Sequence, residues 1–239
     1  MSTKVTFYIA RHGKTILNTL GKVQGWSDSP LTHEGAKVAK YLGAGLSDIQ
    51  FSSAYCSDLR RTHETINIIL EHHGQKSVKV VEKTEFREVC FGSYESDPTN
   101  NMWKDAALYL QYKSSKDLLR DVFDVKKNIT YEQVANVIKK LDELGMAEGF
   151  DEVEKRTQKA LLEIAKKESK GNEEKNVLIV AHGMCIKFML QNLGGRDLVT
   201  DDLGNASVCK VVFKDGKFKV ESMGDMSYVE KGKKLIKMK

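Results

Sequence analysis

Two apolar runs of strand length each end in a histidine followed by a glycine, and this repeat constrains the fold more than any other feature of the chain. Residues 4–13 read KVTFYIARHG, and residues 176–183 read NVLIVAHG. Continuous apolar runs without polar alternation are typical of strands covered on both faces, as in a parallel sheet flanked by helices. Ligands bind beyond the carboxyl ends of such strands. The sequence therefore predicts an α/β fold in which His12 and His182 share one site.

A simpler explanation exists for either histidine alone, because a polar residue at a strand end is often just satisfied by hydrogen bonds. Two histidines in matched contexts, one of them next to Arg11, favour a functional site over that explanation. The glycines that follow, Gly13 and Gly183, let the backbone turn sharply or approach a ligand closely.

Length and composition are those of an ordinary globular protein. The 239 residues fit a single domain, 1–239, and 41% of them are hydrophobic and 30% charged. No apolar run approaches the ~20 residues that cross a bilayer. The first strand begins almost at once after Met1, which leaves no space for a signal peptide. We therefore expect a cytoplasmic protein with no membrane partner.

The four cysteines occur singly, without the CxxC pairs of zinc or redox sites, and we expect reduced thiols. Cys90 and Cys185 fall near the expected site, where a thiol beside arginines could be oxidised and so regulate activity. Small apolar packing residues are the favoured interpretation of both.

The net charge of +5 is modest, and part of it lies in the basic segment 230–239. A basic tail can touch nucleic acid or an anionic surface, but we interpret this one as a solvated terminus. The interleaved aromatics and basic stripe of a nucleic-acid groove are missing. The sequence predicts no nucleic-acid partner and leaves a homo-oligomer open.

Strands and helices alternate on either side of one irregular block. Thr32 is the expected N-cap of a helix to about Leu46, and Ser57 or Asp58 can cap the helix that follows the next strand. Residues 97–149 then break the alternation.

Within that block, residues 100–113 are predicted to be helical, and a capping box at Thr130 opens another helix. We predict a helical insertion that acts as a lid over the site. Asp151 is the expected N-cap of the long helix that follows, and Asp215-Gly216 predicts a hairpin.

Further polar residues fall near the expected site. Residues 14–18 predict a short helix whose amides form an anion site, with Asn18 within reach, and the loop 21–30 follows. Arg61 lies in the first turn of a helix that starts at a strand end, where it can point into the site. Glu88 lies among apolar residues, which raise the pKa of a carboxyl group toward that of a general acid near neutral pH.

Four motifs, in this order, resemble the histidine phosphatase superfamily, also called the phosphoglycerate mutase-like family. They are Arg11-His12-Gly13-x-Thr15-x-x-Asn18, Ser57-x-Leu59-x-Arg61-Thr62-x-x-Thr65, Arg87-Glu88-x-x-Phe91-Gly92 and His182-Gly183. The resemblance covers approximately residues 1–95 and 151–213 and leaves the insertion unmatched. It implies a three-layer α/β/α sandwich with a mostly parallel sheet and a covalent phosphohistidine mechanism.

The resemblance also implies a role for each matching residue. His12 would be the nucleophile, Glu88 the proton donor, and His182 a catalytic group, charged or as a neutral donor, that stabilises the transferring phosphoryl group. That group would be held by Arg11, Asn18, Arg61 and Gly183, with Thr15, Gln24 and Gly25 as further binding candidates. Neither a metal nor a cofactor is expected. Physical chemistry agrees, because neighbouring guanidinium groups keep an imidazole neutral while they bind phosphate oxygens.

The choice between a phosphatase and a mutase depends on a departure from the family pattern. Family mutases carry Arg-x-Tyr-Gly after the acid, and a pair of arginines that grip the carboxylate of phosphoglycerate. Here Glu88 is followed by Val-Cys-Phe-Gly, and the insertion offers only scattered bases such as Lys104, Lys113 and Arg120. We predict a phosphatase acting on a small anionic phosphomonoester, with a cofactor-dependent phosphoglycerate mutase as the alternative.

Two other classes fit less well. A metal hydrolase could use His12, His182 and Glu88 as ligands, but two guanidinium groups would oppose a divalent cation. A non-catalytic binding protein of the same fold would not need every residue of the catalytic core. The sequence does not identify the natural substrate, because the insertion would select it and the resemblance leaves this insertion unmatched.

Overall fold

The computed structural model describes residues 3–124, 127–195 and 203–238, and one six-stranded sheet forms the centre of that part of the chain. Its spatial order is β3-β2-β4-β1-β5-β6. Strands β1 to β4 are parallel to one another, whereas β5 is antiparallel to both of its neighbours, β1 and β6, so the predicted mostly parallel sheet is confirmed. The strands are β1 (Val5–Arg11), β2 (Phe51–Cys56), β3 (Val80–Glu82), β4 (Lys175–Ala181), β5 (Val208–Lys214) and β6 (Lys217–Asp225).

Helices cover both faces of this sheet, because successive residues of the buried strands point to opposite sides. Phe7 and Ile9 of β1 pack in a core with α7 and α8, while Tyr8 and Ala10 pack in a second core with α2, α3 and α9. The three-layer sandwich is thus confirmed. The helices are α1 (Ile16–Thr19), α2 (His33–Gly45), α3 (Arg60–His73), α4 (Thr99–Tyr109), α5 (Ser115–Phe123), α6 (Tyr131–Leu141), α7 (Phe150–Glu168), α8 (Gly183–Leu190) and α9 (Ser227–Lys237).

The two central strands β1 and β4 are neighbours in register. Arg11 pairs with Ala181 at their carboxyl ends, and the backbone N–H of His12 donates to the carbonyl of Ala181 at 3.0 Å. His12 and His182 therefore leave adjacent strands at the same edge of the sheet.

Residues 97–149 contain α4, α5 and α6, which pack around an apolar cluster of their own that includes Met102, Leu118 and Val134. The capping box at Thr130 is confirmed, since its side chain and that of Gln133 exchange bonds with each other's backbone. Helix α5 was not predicted. That this block is an insertion acting as a lid stays a prediction.

Of the expected helix caps, Thr32 is confirmed, because its Oγ accepts from the N–H of Gly35 at 3.0 Å. The prediction for Ser57 or Asp58 is wrong. Helix α3 begins after Leu59 without a side-chain cap, since the oxygens of Ser57 and Asp58 bind other partners, among them His182 and Arg87 respectively.

One further expectation is also corrected. Asp151 does not cap α7: the N-cap is Gly149, and Asn136 of α6 accepts from the N–H of Phe150 at 3.0 Å. Segment 230–239 is helical up to Lys237, and Gly232 packs against Tyr41 and Gly45 of α2, although Lys231, Lys234 and Lys237 are exposed as expected of a solvated terminus. The hairpin at Asp215-Gly216 is confirmed.

No helix within residues 3–124, 127–195 and 203–238 is long and apolar enough to cross a membrane.

Candidate active site

The nucleophile candidate His12 is buried and has a defined tautomer. Its Nδ1 lies 2.7 Å from the carbonyl oxygen of Gly13. Because a carbonyl oxygen only accepts, Nδ1 carries the proton and Nε2 carries the lone pair. Burial, followed by Arg61 and Arg11, holds the pKa of His12 well below its usual value of 6.5. The expected neutral imidazole is therefore present at the end of β1.

His182 follows β4 and contacts His12 edge to face, with 5.3 Å between the ring centroids. Its Nδ1 accepts from Nε of Arg61 at 3.1 Å, so Nε2 carries the proton and donates to Oγ of Ser57 at 2.8 Å. Burial, then Arg61 and His12, lowers the pKa of His182 well below 6.5. The structure thus favours the neutral form, with both nitrogens bonded to protein groups.

Arg61 lies at the start of α3 and is fully buried. Besides His182, its guanidinium donates to the loop 21–30, at 2.9 Å to Oδ1 of Asp28 and 2.7 Å to the carbonyl of Gly25. Arg61 therefore joins this loop to the second histidine, and its charge acts on both imidazoles.

Arg11 and Gly183 meet where β1 and α8 approach each other. A Cβ added to Gly183 would lie 3.3 Å from Nε of Arg11, and Nη1 of Arg11 donates to the carbonyl of Leu203. The guanidinium of Arg11 therefore lies against the first turn of α8, and its predicted role in holding an anion at this edge of the sheet stays a prediction.

Glu88 is buried opposite the first turn of α8. Its Oε1 accepts from the N–H groups of Cys185 at 2.7 Å and Val89 at 3.0 Å, and its Oε2 accepts from that of Met184 at 3.2 Å. Burial nevertheless raises the pKa of Glu88 above 4.5, against the lowering by these amides. The expected direction is confirmed, and Oε2, with fewer donors, is the oxygen with room for the proton.

Sequence analysis missed the residues that position Glu88. Arg156 of α7 donates to the backbone carbonyls of Glu85, Arg87 and Glu88 and pairs with Glu148 at 2.8 Å. Glu148 in turn accepts from the N–H of Cys90 at 3.1 Å. No local signal indicates this clamp, because it joins segments that are distant in the chain.

Glu95 was also missed, and it organises the loop that Arg61 binds. Its carboxylate accepts from the N–H groups of Gly25, Trp26 and Ser27 at 2.8–3.1 Å. A Cβ on Gly25 would lie 2.1 Å from the carbonyl oxygen of Val89, so only glycine fits there.

The remaining binding candidates form a hydrogen-bond network beside the site. Thr15 caps α1 in a reciprocal capping box with Asn18, and Oγ1 of Thr15 donates to Oε1 of Gln24 at 2.5 Å. Gln24 also donates to Ser29 at 3.2 Å. In this structure these side chains shape the loop.

A cavity of about 210 Å³ opens above Arg11, Glu88 and Gly183. Its other side is formed by the helices of residues 97–149, through Trp103, Leu119, Tyr131, Val134, Ala135 and Ile138. The block predicted as an insertion therefore lies across the catalytic candidates.

Both cysteines near the site are buried and free. Burial raises the pKa of the Cys185 thiol to about 12 and also raises that of Cys90. A redox-sensitive thiol needs the opposite shift, so the structure supports the packing interpretation.

The structure thus brings together, at one edge of a doubly covered α/β sheet, the two histidines, the two arginines and the carboxyl group that the four motifs carry. The chain belongs to the histidine phosphatase superfamily, branch 1, whose family model matches residues 7–226. The resemblance seen in the four motifs is thus confirmed.

Known members of this superfamily that resemble the chain include mutases and a phosphatase. The crystal structure of phosphoglycerate mutase from Bacillus anthracis str. Sterne is 38% identical, covers 97% of this chain and 98% of its own, and superposes with a TM-score of 0.89. The probable phosphoglycerate mutase GpmB of Erwinia tasmaniensis is 26% identical over 93% of this chain and 94% of its own. The fructose-2,6-bisphosphatase TIGAR of Mus musculus is 38% identical, but the match spans only 39% of this chain and 36% of that protein.

Proposed function

We propose that this chain is a phosphatase that hydrolyses a small phosphomonoester through a covalent phosphohistidine on His12. The observation that carries the proposal is the tautomer of His12: the carbonyl of Gly13 holds the proton on Nδ1 and leaves Nε2 with its lone pair. A depressed pKa keeps that nitrogen unprotonated at neutral pH.

In the first step, Nε2 of His12 attacks phosphorus while the bond from phosphorus to the alcohol oxygen breaks. Glu88 gives its proton to that oxygen and becomes a carboxylate, stabilised by the amides of Met184 and Cys185. In the second step, the carboxylate takes a proton from water, whose oxygen attacks phosphorus while the bond from phosphorus to Nε2 of His12 breaks and its electron pair returns to that nitrogen. Inorganic phosphate leaves, and both His12 and Glu88 return to their starting states.

Arg11, Arg61, His182 and Asn18 hold the phosphoryl group in this proposal. The positive charge of Arg11 and Arg61 and the donors of all four groups stabilise the equatorial oxygens during transfer, and the Nε2–H of His182 must leave Oγ of Ser57 to take part. Arg61 gives its donors to the carbonyl of Gly25 and to Asp28 in this structure, so phosphate binding requires it to exchange those partners for phosphate oxygens. Thr15, Gln24 and Gly25 support the loop 21–30, whose groups Arg61 would release when it binds phosphate.

Water is proposed as the acceptor because the bases that the sequence offers within residues 97–149, so far as the structure describes the three named above, do not point at the site. Lys104 and Lys113 are exposed, and Arg120 is 68% exposed and paired with Asp117 and Asp121. A cofactor-dependent phosphoglycerate mutase is the second candidate, since the solved structure 38% identical to this chain carries that name.

A metal-dependent hydrolase is less well supported. No group of three or more histidine, cysteine, aspartate or glutamate side chains in the described ranges is arranged to hold a metal ion. We expect activity to persist in a chelator.

The test is phosphate release from phenyl phosphate in the presence of EDTA by the wild-type protein and by His12→Ala. In parallel, conversion of 3-phosphoglycerate to 2-phosphoglycerate is measured with 2,3-bisphosphoglycerate present. We expect hydrolysis that is lost in His12→Ala. Equal rates in the two proteins would contradict an enzymatic role for His12, and isomerisation much faster than hydrolysis would favour the mutase.

We also propose that the enzyme is cytoplasmic, that it requires no cofactor, and that it has no nucleic-acid or membrane partner.

A further inference from the structure

The cavity above the candidate catalytic residues separates charge from apolar surface. Among the residues that the structure describes, the charged ones that line it are Arg11 and Glu88, and both lie at the end where the strands terminate. The side formed by α4, α5 and α6 presents aliphatic and aromatic groups, including Leu119, Val134 and Ile138. A ligand that fills the cavity therefore meets ionic partners at one end and hydrocarbon at the other.

The aromatic part of this apolar side is fixed by its neighbours. Trp103 of α4 and Tyr131 of α6 contact edge to face, with 6.2 Å between their ring centroids. Nζ of Lys187, a buried residue of α8, lies 4.3 Å from the ring centre of Tyr131, and Lys187 is not among the residues that line the cavity. This ammonium group is thus held on an aromatic face and does not add charge to the cavity wall.

The volume of the cavity indicates what it can enclose. An apolar cavity of about 150 Å³ accepts one benzene ring. The cavity here is about 210 Å³ and includes the space beside Arg11 and Glu88 that the phosphoryl end requires. The remaining volume suits one ring or a short alkyl chain.

We propose that the substrate is a phosphomonoester whose alcohol part is apolar and about the size of a single ring, held between α4, α5 and α6. The inference depends on the proposed phosphatase function and specifies its substrate class. A sugar or a glycerate would bring hydroxyl or carboxylate groups against Leu119, Val134 and Ile138, where they would lose water without gaining partners.

The experiment measures kcat/KM by phosphate release for methyl, ethyl, propyl, butyl and pentyl phosphate. These alcohols are nearly equal leaving groups, so differences report contacts of the chain with the cavity. Each methylene is expected to raise kcat/KM up to about fourfold until the cavity is full. Phenyl phosphate, glycerol 3-phosphate, glucose 6-phosphate and 3-phosphoglycerate complete the panel, and the last three are expected to lie at least about tenfold below butyl phosphate.

A cavity variant with a matched surface control tests the location. Leu119→Arg places a cation in the wall and is expected to lower kcat/KM for butyl phosphate by about tenfold while raising it for 3-phosphoglycerate. Leu108→Arg makes the same change on α4 at a side chain that is 77% exposed and is expected to behave as the wild type. Leu119→Ala, a milder change, should shift the preferred chain length upward.

Three results would overturn the inference. A flat alkyl series, or a preference for the polar esters, would do so while leaving the phosphatase intact. Unchanged preferences in both Leu119 variants would show that the chain binds elsewhere. No release from any ester, including phenyl phosphate, would overturn the proposed function itself.

Discussion

The ends of β1 and β4 are nearly the same in sequence, an apolar run followed by His-Gly, yet the structure gives their histidines different surroundings. His12 bonds through Nδ1 to the carbonyl of the next residue, which leaves Nε2 as the basic nitrogen. His182 is bonded at both nitrogens, to Arg61 and to Ser57. One strand end thus carries an imidazole with a basic Nε2, as the proposed nucleophile requires, and the other carries a neutral ring that is fixed at both nitrogens.

The backbone after each histidine differs as well. The N–H of Gly13 donates to Oγ1 of Thr65, whereas the first turn of α8 directs the N–H groups of Met184 and Cys185 at Glu88. The second strand end therefore also positions the carboxyl group. The two strand-end His-Gly motifs differ in their surroundings because each contacts different residues in the folded chain.

The largest expected effect comes from His12. We expect His12→Ala to lower kcat on the order of 10⁴-fold or more, since it removes the atom that accepts the phosphoryl group. Rapid quench with radiolabelled substrate should trap acid-labile phosphohistidine in the wild type and none in the variant. His72→Ala, an exposed histidine at the end of α3, is the control and should remain active. A labelled phosphoenzyme in His12→Ala would contradict the assignment.

The next effect concerns the acid held by the second strand end. Glu88 acts in its protonated form, and burial raises its pKa above 4.5, so kcat/KM should fall as pH rises through that raised value. Glu88→Gln should lower kcat about 10²–10⁴-fold and remove this alkaline limb. Glu88→Gln should slow formation of the phosphoenzyme less with 4-nitrophenyl phosphate than with an alkyl phosphate, because the 4-nitrophenolate leaving group needs no proton. An equal loss for both kinds of ester would argue against a proton donor.

A smaller loss is expected from His182. His182→Ala should reduce kcat about 10²–10³-fold, because it removes a group that stabilises transfer but not the acceptor itself. Phosphohistidine should still form slowly in the quench experiment. Complete loss of the phosphoenzyme in a folded variant, checked by circular dichroism, would make the two histidines equivalent and remove the contrast between them.

The smallest effect is on stability. The pKa values of His12 and His182 lie well below 6.5 in the folded chain, so the unfolded chain binds protons first as pH falls. Their contribution to stability is therefore lost as the pH falls through 6.5, with a limiting slope of about 1.4 kcal/mol per pH unit for each histidine. The free energy of unfolding, measured with urea from pH 7.5 to 5, should show this dependence on pH. His182→Asn should remove the part of the slope that one histidine contributes. His72→Asn should leave the slope unchanged, and a flat profile in the wild type would contradict burial of neutral rings.

Sequence reasoning reached the sheet and the main site residues because their signals are local. Apolar runs, a strand-end His-Gly and the Arg11 and Arg61 motifs are all legible within a few residues. It failed at Ser57, which it assigned to a helix cap, because the hydroxyl has a competing partner in His182, 125 positions away. Arg156 and Glu95 were missed for the same reason, since their backbone partners are brought close only by folding.

The sequence by itself determined that two covered strands end in histidines beside arginines, which requires a charged site at one sheet edge. Only the tertiary structure decided which nitrogen of His12 is basic, what holds Glu88, and that residues 97–149 line one side of the cavity with apolar side chains. The physical reason is that hydrophobic periodicity is a property of neighbouring residues, whereas protonation and cavity shape depend on groups that meet from distant parts of the chain.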